Sequence, residues 1–186
     1  MATRAATPQD LAEHALAAST ADDCVVVVRD ATSANLRWAG NTLTTNGVTH
    51  ALTVSVVSLA RSGSGTGTGS VSSTATTRPQ VEALVAAADA AARASSPAED
   101  VADLLGERAS ADWADAPEPT DIELYATVAP ALGEAFGRAR AAGRVLYGFV
   151  NHEMTTTYLA SSTGLRLRHV QPTGRVRSSL LPVHPT

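Results

Sequence analysis

Along "ALTVSVVSLA", residues 51 to 60, apolar and polar side chains alternate: Leu52, Val54 and Val56 share one face, Thr53 and Ser55 the other. A period of two marks a strand with one buried face. "CVVVVRD", from Cys24, is apolar at consecutive positions, which predicts a strand covered on both faces. In "ANLRWAGNTLTTNGV", Leu36 and Trp38 fall on one face, with Asn35 and Arg37 on the other. This predicts a strand ending near Gly40, with a short second strand before a turn at Asn46-Gly47. "RVLYGFVNHE", "TTTYLASS" and "LRLRHVQPT" read as three further strands, the last two joined by a turn at Ser162-Thr163-Gly164.

Elsewhere the period lengthens to that of a helix. Thr7, Pro8 and Asp10 supply start chemistry for a first helix with Leu11, Ala15, Leu16 and Ala18 as its apolar stripe. Thr77 and Pro79 open a second, in which Val81, Leu84, Val85 and Ala88 recur at i, i+3, i+4 and i+7. Thr120 and Glu123 form a capping box before a third, whose face carries Tyr125, Val128, Leu132, Phe136 and Ala139. Pro130 lies inside that pattern and predicts a kink or split, and Gly143 ends it.

Between the clearest strand and the second helix, glycine stands at 63, 65, 67 and 69. The spacing does not suit a phosphate-cradling loop, and no lysine is present, so a mobile hairpin tip is expected there, with Gly69 to Ala75 as the returning strand. Residues 96 to 119 are acidic and proline-containing and read as a connector, tacked down by Leu104, Leu105 and Trp113. The predicted organisation is a first domain at 1–95, this connector, a partial second domain at 120–175, and a tail of different character at 176–186. The fold class is α+β: a small antiparallel sheet with flanking helices, then a kinked helix followed by antiparallel strands.

The chain has 186 residues and a formal net charge of -4, which gives no electrostatic case for nucleic acid. Every basic residue apart from histidine is arginine, and alanine fills the helices. Cys24 has no cysteine partner and sits in an apolar run, which reads as a buried hydrophobe. No apolar run reaches the ~20 residues of a membrane span, and the first residues lack the apolar core of a signal peptide. A soluble, cytoplasmic protein is expected.

The stretch with the strongest hint of chemistry is "NHEMTTTY", residues 151 to 158. A zinc-peptidase helix needs a second histidine one turn after His152-Glu153, and Thr156 and Thr157 stand at those places. The β-branched run favours a strand, on which His152 and Glu153 point to opposite faces. No metal, cofactor or catalytic residue is assigned. Arg166 and Arg168 share a strand face, and both a basic groove and a solvated surface fit two arginines, the solvated surface being the simpler reading.

The block "NLRWAGNTLTTNGVTHALTVSVVS", the glycine segment and the helix "RPQVEALVAAADAAARA" together resemble the first domain of the TldD/PmbA proteins. "EMTTTYLASSTGLRLRHVQPTG" resembles the start of that family's central domain. The match spans residues 7 to 175 and is nearest the actinobacterial TldE/PmbA-like branch. The resemblance implies a cytosolic, zinc-dependent peptidase system (proteolysis in the service of peptide maturation). In it a TldD-type subunit with an HExxxH motif pairs as a heterodimer with a TldE/PmbA-type subunit that lacks it.

Family members are more than twice this length, and "RVRSSLLPVHPT" does not match the expected continuation, so the chain reads as an N-terminal portion. No family catalytic residue carries over to any position here. The expected role is a scaffold and pairing portion, inactive alone, with zinc held by the TldD-type partner or parent. Its expected partners are a TldD-type subunit and an unfolded or extended peptide, with neither nucleic acid nor membrane. The isolated chain is expected to form a homo-oligomer by edge-strand addition through residues 144 to 170, around Tyr158 and Leu159. Two other readings fit the same residues: the N-terminal portion of a TldD-type catalytic subunit, and an unrelated module that captures peptides along an exposed strand edge.

Overall fold

The computed structural model describes residues 6 to 182. Three α-helices, α1 (Pro8–Ala18), α2 (Arg78–Ala94) and α3 (Val128–Ala141), accompany six strands. The strands are β1 (Asp23–Ala39), β2 (Thr42–Ser62), β3 (Gly65–Ser73), β4 (Arg108–Ala109), β5 (Arg144–Ser161) and β6 (Leu165–Pro182). They form one sheet in the order β3-β2-β1-β5-β6-β4. β2 and β3 are antiparallel, with Val54 opposite Ser73 and Ser62 opposite Gly65, while β4 runs parallel to β6. The architecture is α+β, as the mixture of periods predicts.

Two compact units share these elements. The first takes residues up to Asp30, Ala51–Pro117 and Thr156–Val170; the second takes Ala31–His50, Glu118–Thr155 and residues from Gln171 on. β1, β2, β5 and β6 therefore each contribute to both.

In the first unit, Thr7 caps α1 as its sequence requires. Its hydroxyl accepts from the Asp10 N–H at 3.1 Å, and the Asp10 carboxylate accepts from the Thr7 N–H at 3.0 Å. Leu11, Ala12 and Ala15 from α1 meet Val81, Val85 and Ala88 from α2 in a core completed by Val26, Val28, Val54 and Val56. Burying each valine or leucine here contributes about 1.5–3 kcal/mol. β1 keeps a period of two: Cys24, Val26 and Val28 are buried, but Val25 and Val27 are half-buried. The consecutive valines thus mark one core face and one partly open face, rather than a strand covered on both sides.

The glycine segment differs from its expected form. The turn is confined to residues 63 and 64, and β3 begins at Gly65. Gly67 and Gly69 are buried, because α2 lies directly upon them. A Cβ on Gly69 would stand 2.3 Å from the Ala88 carbonyl oxygen and 2.4 Å from the Ala92 nitrogen. Alternate residues of a strand face one way, so glycine at every second position makes a flat track for a helix. The spacing serves close packing.

β5 is a single strand where two were expected, and it lies between β1 and β6. Tyr158 is fully buried, its hydroxyl donating to the Asp115 carbonyl at 2.7 Å. Its ring meets Trp113 edge-on, with centroids 5.6 Å apart. Neither Tyr158 nor Leu159 stands on a sheet edge, so the expected route of strand addition through them is corrected. The turn at Ser162-Thr163-Gly164 stands where expected, with Gly164 at φ +96°.

In the second unit the hairpin between β1 and β2 turns at Gly40-Asn41, not at Asn46-Gly47, which lies within β2. Gly40 and Asn41 have φ values of 60° and 61°, the left-handed pair of a two-residue hairpin turn. Asn41 decides the matter: its buried amide donates to the Arg144 carbonyl at 2.8 Å and accepts from the Leu146 N–H at 2.7 Å. Ahead of α3, Ile122–Tyr125 forms a short 3-10 turn capped by Asp121, whose side chain accepts from the Glu123 N–H. The helical stretch breaks between this turn and Val128, leaving Pro130 in the first turn of α3, where its missing N–H costs nothing. Thr120 is therefore not the cap that the sequence pattern suggests. Ala34, Leu36, Trp38, Tyr125, Phe136 and Val150 form this unit's core. Gly143, at φ +64°, ends α3. β6 runs on through Val176 to Pro182, into the stretch set apart as a tail.

Candidate functional site

His152 and Glu153 sit on β5, half-buried, on opposite sides of the strand. His152 Nδ1 lies 2.8 Å from the Thr120 hydroxyl, and Glu153 accepts from the Thr155 hydroxyl at 3.1 Å. Among the described residues no three His, Cys, Asp or Glu side chains are grouped as a metal would require. These residues do not fit a zinc ion, since one imidazole with a strand-opposed carboxylate leaves the tetrahedral shell unfilled.

A second cluster lies in the core of the first unit. The Asp89 carboxylate, 2% exposed, accepts from Ser58 Oγ at 2.6 Å, the Thr20 N–H at 2.7 Å, Thr20 Oγ1 at 2.9 Å and Ser19 Oγ at 3.0 Å. Burial pushes its pKa up, but these hydrogen bonds outweigh burial and hold the carboxyl below its ordinary value. Nearby, burial pushes the Cys24 thiol up against hydrogen bonds from Ser19 and Ser58, and the Asp89 charge adds to the rise. A protonated, buried thiol is a poor nucleophile. A carboxylate whose acceptor sites are filled is a poor general base. The cluster is a structural tie of α2 to β2 and the end of α1. Its sequence signal was present: Asp89 follows Val81 and Val85 at helical spacing, a charge placed on the buried stripe.

Arg166 and Arg168 form neither of the surfaces considered for them. Arg166 pairs with Glu13 on α1 through two hydrogen bonds of 2.5 and 2.8 Å. The Arg168 side chain is 5% exposed and donates to Asp112 and to the Ala116 carbonyl, both at 2.9 Å. Both arginines fasten the structure, Arg168 holding the connector.

The open chemistry of the second unit lies on the sheet face away from its core. Even-numbered positions of β1 and β5, such as Leu36, Trp38 and Val150, supply that core. Odd-numbered positions face the other way and line two adjoining depressions of about 470 and 410 Å³. Arg37 and Phe149 belong to both. Asn35, Asn151 and Arg175 line the larger, Tyr147 and Arg177 the smaller. Asn151 is held by the Ser33 hydroxyl, which donates to its amide oxygen at 2.8 Å. Gly148 leaves room for the Trp38 ring beneath it, since a Cβ there would lie 2.5 Å from the indole. Arg37 was recognisable in the sequence as the polar side of a strand. Arg175 and Arg177 were not, although their alternation around Val176 is the mark of a strand with one basic face.

Beside this face lies the outer side of β6. β4 pairs with β6 only at Leu165 and Arg166, and no other strand among the described residues pairs with that side. At the far side of the sheet, β3 covers β2 from Val54 to Ser62, leaving Thr42 to Thr53 without a strand on that side among the described residues.

No family model matches the chain, and no curated protein matches its sequence at a significant level. Solved structures do match its fold. TldE from Thermococcus kodakarensis superposes with a TM-score of 0.63 at 11% identity, over 92% of this chain and 42% of that one. A proposed modulator of DNA gyrase from Bacteroides thetaiotaomicron gives a TM-score of 0.60 at 13% identity, over 93% of this chain and 43% of its own. A protein of the same description from Thermotoga maritima gives 0.58 at 10% identity, over 94% and 42%. The chain thus spans less than half the length of these proteins, and the fold read from its motifs is the fold it shares with TldE.

Proposed function

We propose that the chain is the N-terminal portion of a TldE/PmbA-type subunit, a scaffold for pairing and not a catalyst. What supports the reading is the shared fold with TldE over 92% of this chain and 42% of that chain. In the proposal, a TldD-type partner supplies the zinc and the proteolysis of unfolded or leader-bearing peptides, and the assembly works in the cytoplasm. Among the described residues no helix is long and apolar enough to cross a membrane.

The edge of β6 beyond Arg166 is the surface proposed for pairing, because an unpaired row of backbone N–H and C=O groups takes another strand at little cost. The test is to mix the chain with a TldD-type subunit and follow co-elution by size exclusion with light scattering. Co-elution is expected, and Ser178→Pro, which removes one edge N–H, should weaken it. Failure to co-elute overturns the pairing role. Chelator-sensitive cleavage of casein by the chain alone overturns the non-catalytic part.

A further inference from the structure

We infer that the open face of the second unit binds an acidic peptide in extended form, laid along the outer edge of β6. The inference rests on charge and strand geometry and not on the pairing role; a peptide and a TldD-type strand would compete for this edge, so the peptide is tested on the chain without that partner. Arg37, Arg175 and Arg177 are exposed, and none of them forms an ion pair among the described residues. No Asp or Glu lines either depression, although the chain as a whole carries a net charge of -4. Glu153 lies on the same side of β5, but it accepts from Thr155 and lines neither depression.

A positive patch on a negative chain selects an anionic partner.

Strand geometry specifies the form of the anion. Arg175 and Arg177 are two residues apart on β6, which places them roughly 6.5 Å apart on one face. A strand added beside β6 presents its own alternate side chains on that same face at the same repeat, opposite the arginines. Carboxylates at every second residue would therefore each meet a guanidinium, which forms planar, two-bonded pairs with carboxylate. Phe149 and Tyr147 offer apolar surface between the charges. Pro172, which has no N–H to give, sets the start of the usable edge, from Thr173 onward. The negative net charge and the open strand edge favour peptide over nucleic acid as the source of the anion.

The test is calorimetric titration of the 186-residue chain with decapeptides of alternating Thr-Glu and alternating Thr-Gln, and with a single-stranded oligodeoxynucleotide of equal charge. The Thr-Glu peptide should bind at least tenfold more tightly than Thr-Gln, and the difference should shrink as salt is raised. Arg175→Glu with Arg177→Glu should reverse the preference towards a Thr-Lys decapeptide. Damage to the fold could abolish binding but could not invert its charge selectivity. Equal affinity for Thr-Glu and Thr-Gln, tighter binding of the oligonucleotide, or no reversal in the double variant would each overturn the inference.

Discussion

Ser58 donates its hydroxyl hydrogen to the Asp89 carboxylate at 2.6 Å, with both residues buried. The bond joins β2 to α2 at the centre of a carboxylate whose pKa is held down by its donors. A depressed pKa means that the native state binds the proton less readily than the unfolded chain does. The stabilisation is therefore complete above the unfolded carboxyl value, about 4, and is lost as pH falls through the lower native value. Asp89→Asn replaces one oxygen with an NH2 that faces donors, and should cost about 2 kcal/mol at pH 7. Urea denaturation at pH 7 and at pH 3 checks this: the gap between wild type and variant should narrow at the lower pH. A gap that widened on acidification would show the carboxylate to be a net burden.

Gly69→Ala should destabilise the first unit by about 1–3 kcal/mol or more, because its Cβ meets backbone atoms of α2 that have no flexible end to yield. Gly63→Ala, where a Cβ meets nothing within 4 Å, serves as the control and should change thermal stability little. Equal melting temperatures for the two variants would mean that α2 does not rest on β3 as described.

What could be read from the sequence was what neighbouring residues decide among themselves. Thr7 with Asp10, and the Val81–Ala88 stripe, need only one helix to declare them, and both stand as expected. The hairpin turn was misplaced because Gly40-Asn41 and Asn46-Gly47 are both turn-forming pairs. The choice falls to Asn41 bonding Arg144 and Leu146, about a hundred positions away. Arg168 was read as surface for the same reason: its partners Asp112 and Ala116 come from a connector that shows no periodicity. The basic face needed three strands to be aligned before Arg37, Arg175 and Arg177 could be seen together. No local pattern contains that alignment.

Purified chain should carry no stoichiometric zinc, and His152→Ala should not alter its metal content. The imidazole is engaged with Thr120, and Glu153 lies on the opposite side of the strand. Losing the hydrogen bond to Thr120 should cost about 1 kcal/mol of stability. Elemental analysis settles the first point and urea denaturation the second. Roughly one zinc per chain, lost in His152→Ala, would restore a metal site to "NHEMTTTY".

Self-association of the isolated chain is expected along β2, at the edge opposite β6. Residues 42 to 49 there carry no formal charge, include Thr42, Thr44, Thr45 and Thr49, and lack proline. Leu43 and Val48 are 43% and 44% exposed. An uncharged, β-prone edge of this kind lacks the lysines and prolines with which sheet edges usually defend themselves. β6 is the poorer route, since two copies paired there in antiparallel fashion bring their arginine rows close together, and like charges across a strand pair repel. The closed, two-fold form of β2 pairing is a dimer in which each copy extends the other's sheet. Val48→Lys should dissociate it, because the two introduced charges would face a shared, partly buried edge. Light scattering over a hundredfold concentration range gives the decision: a dimer for the native chain and a monomer for Val48→Lys. A native chain that stays monomeric throughout would show the β2 edge to be protected, and a dimer unmoved by Val48→Lys would place the contact elsewhere.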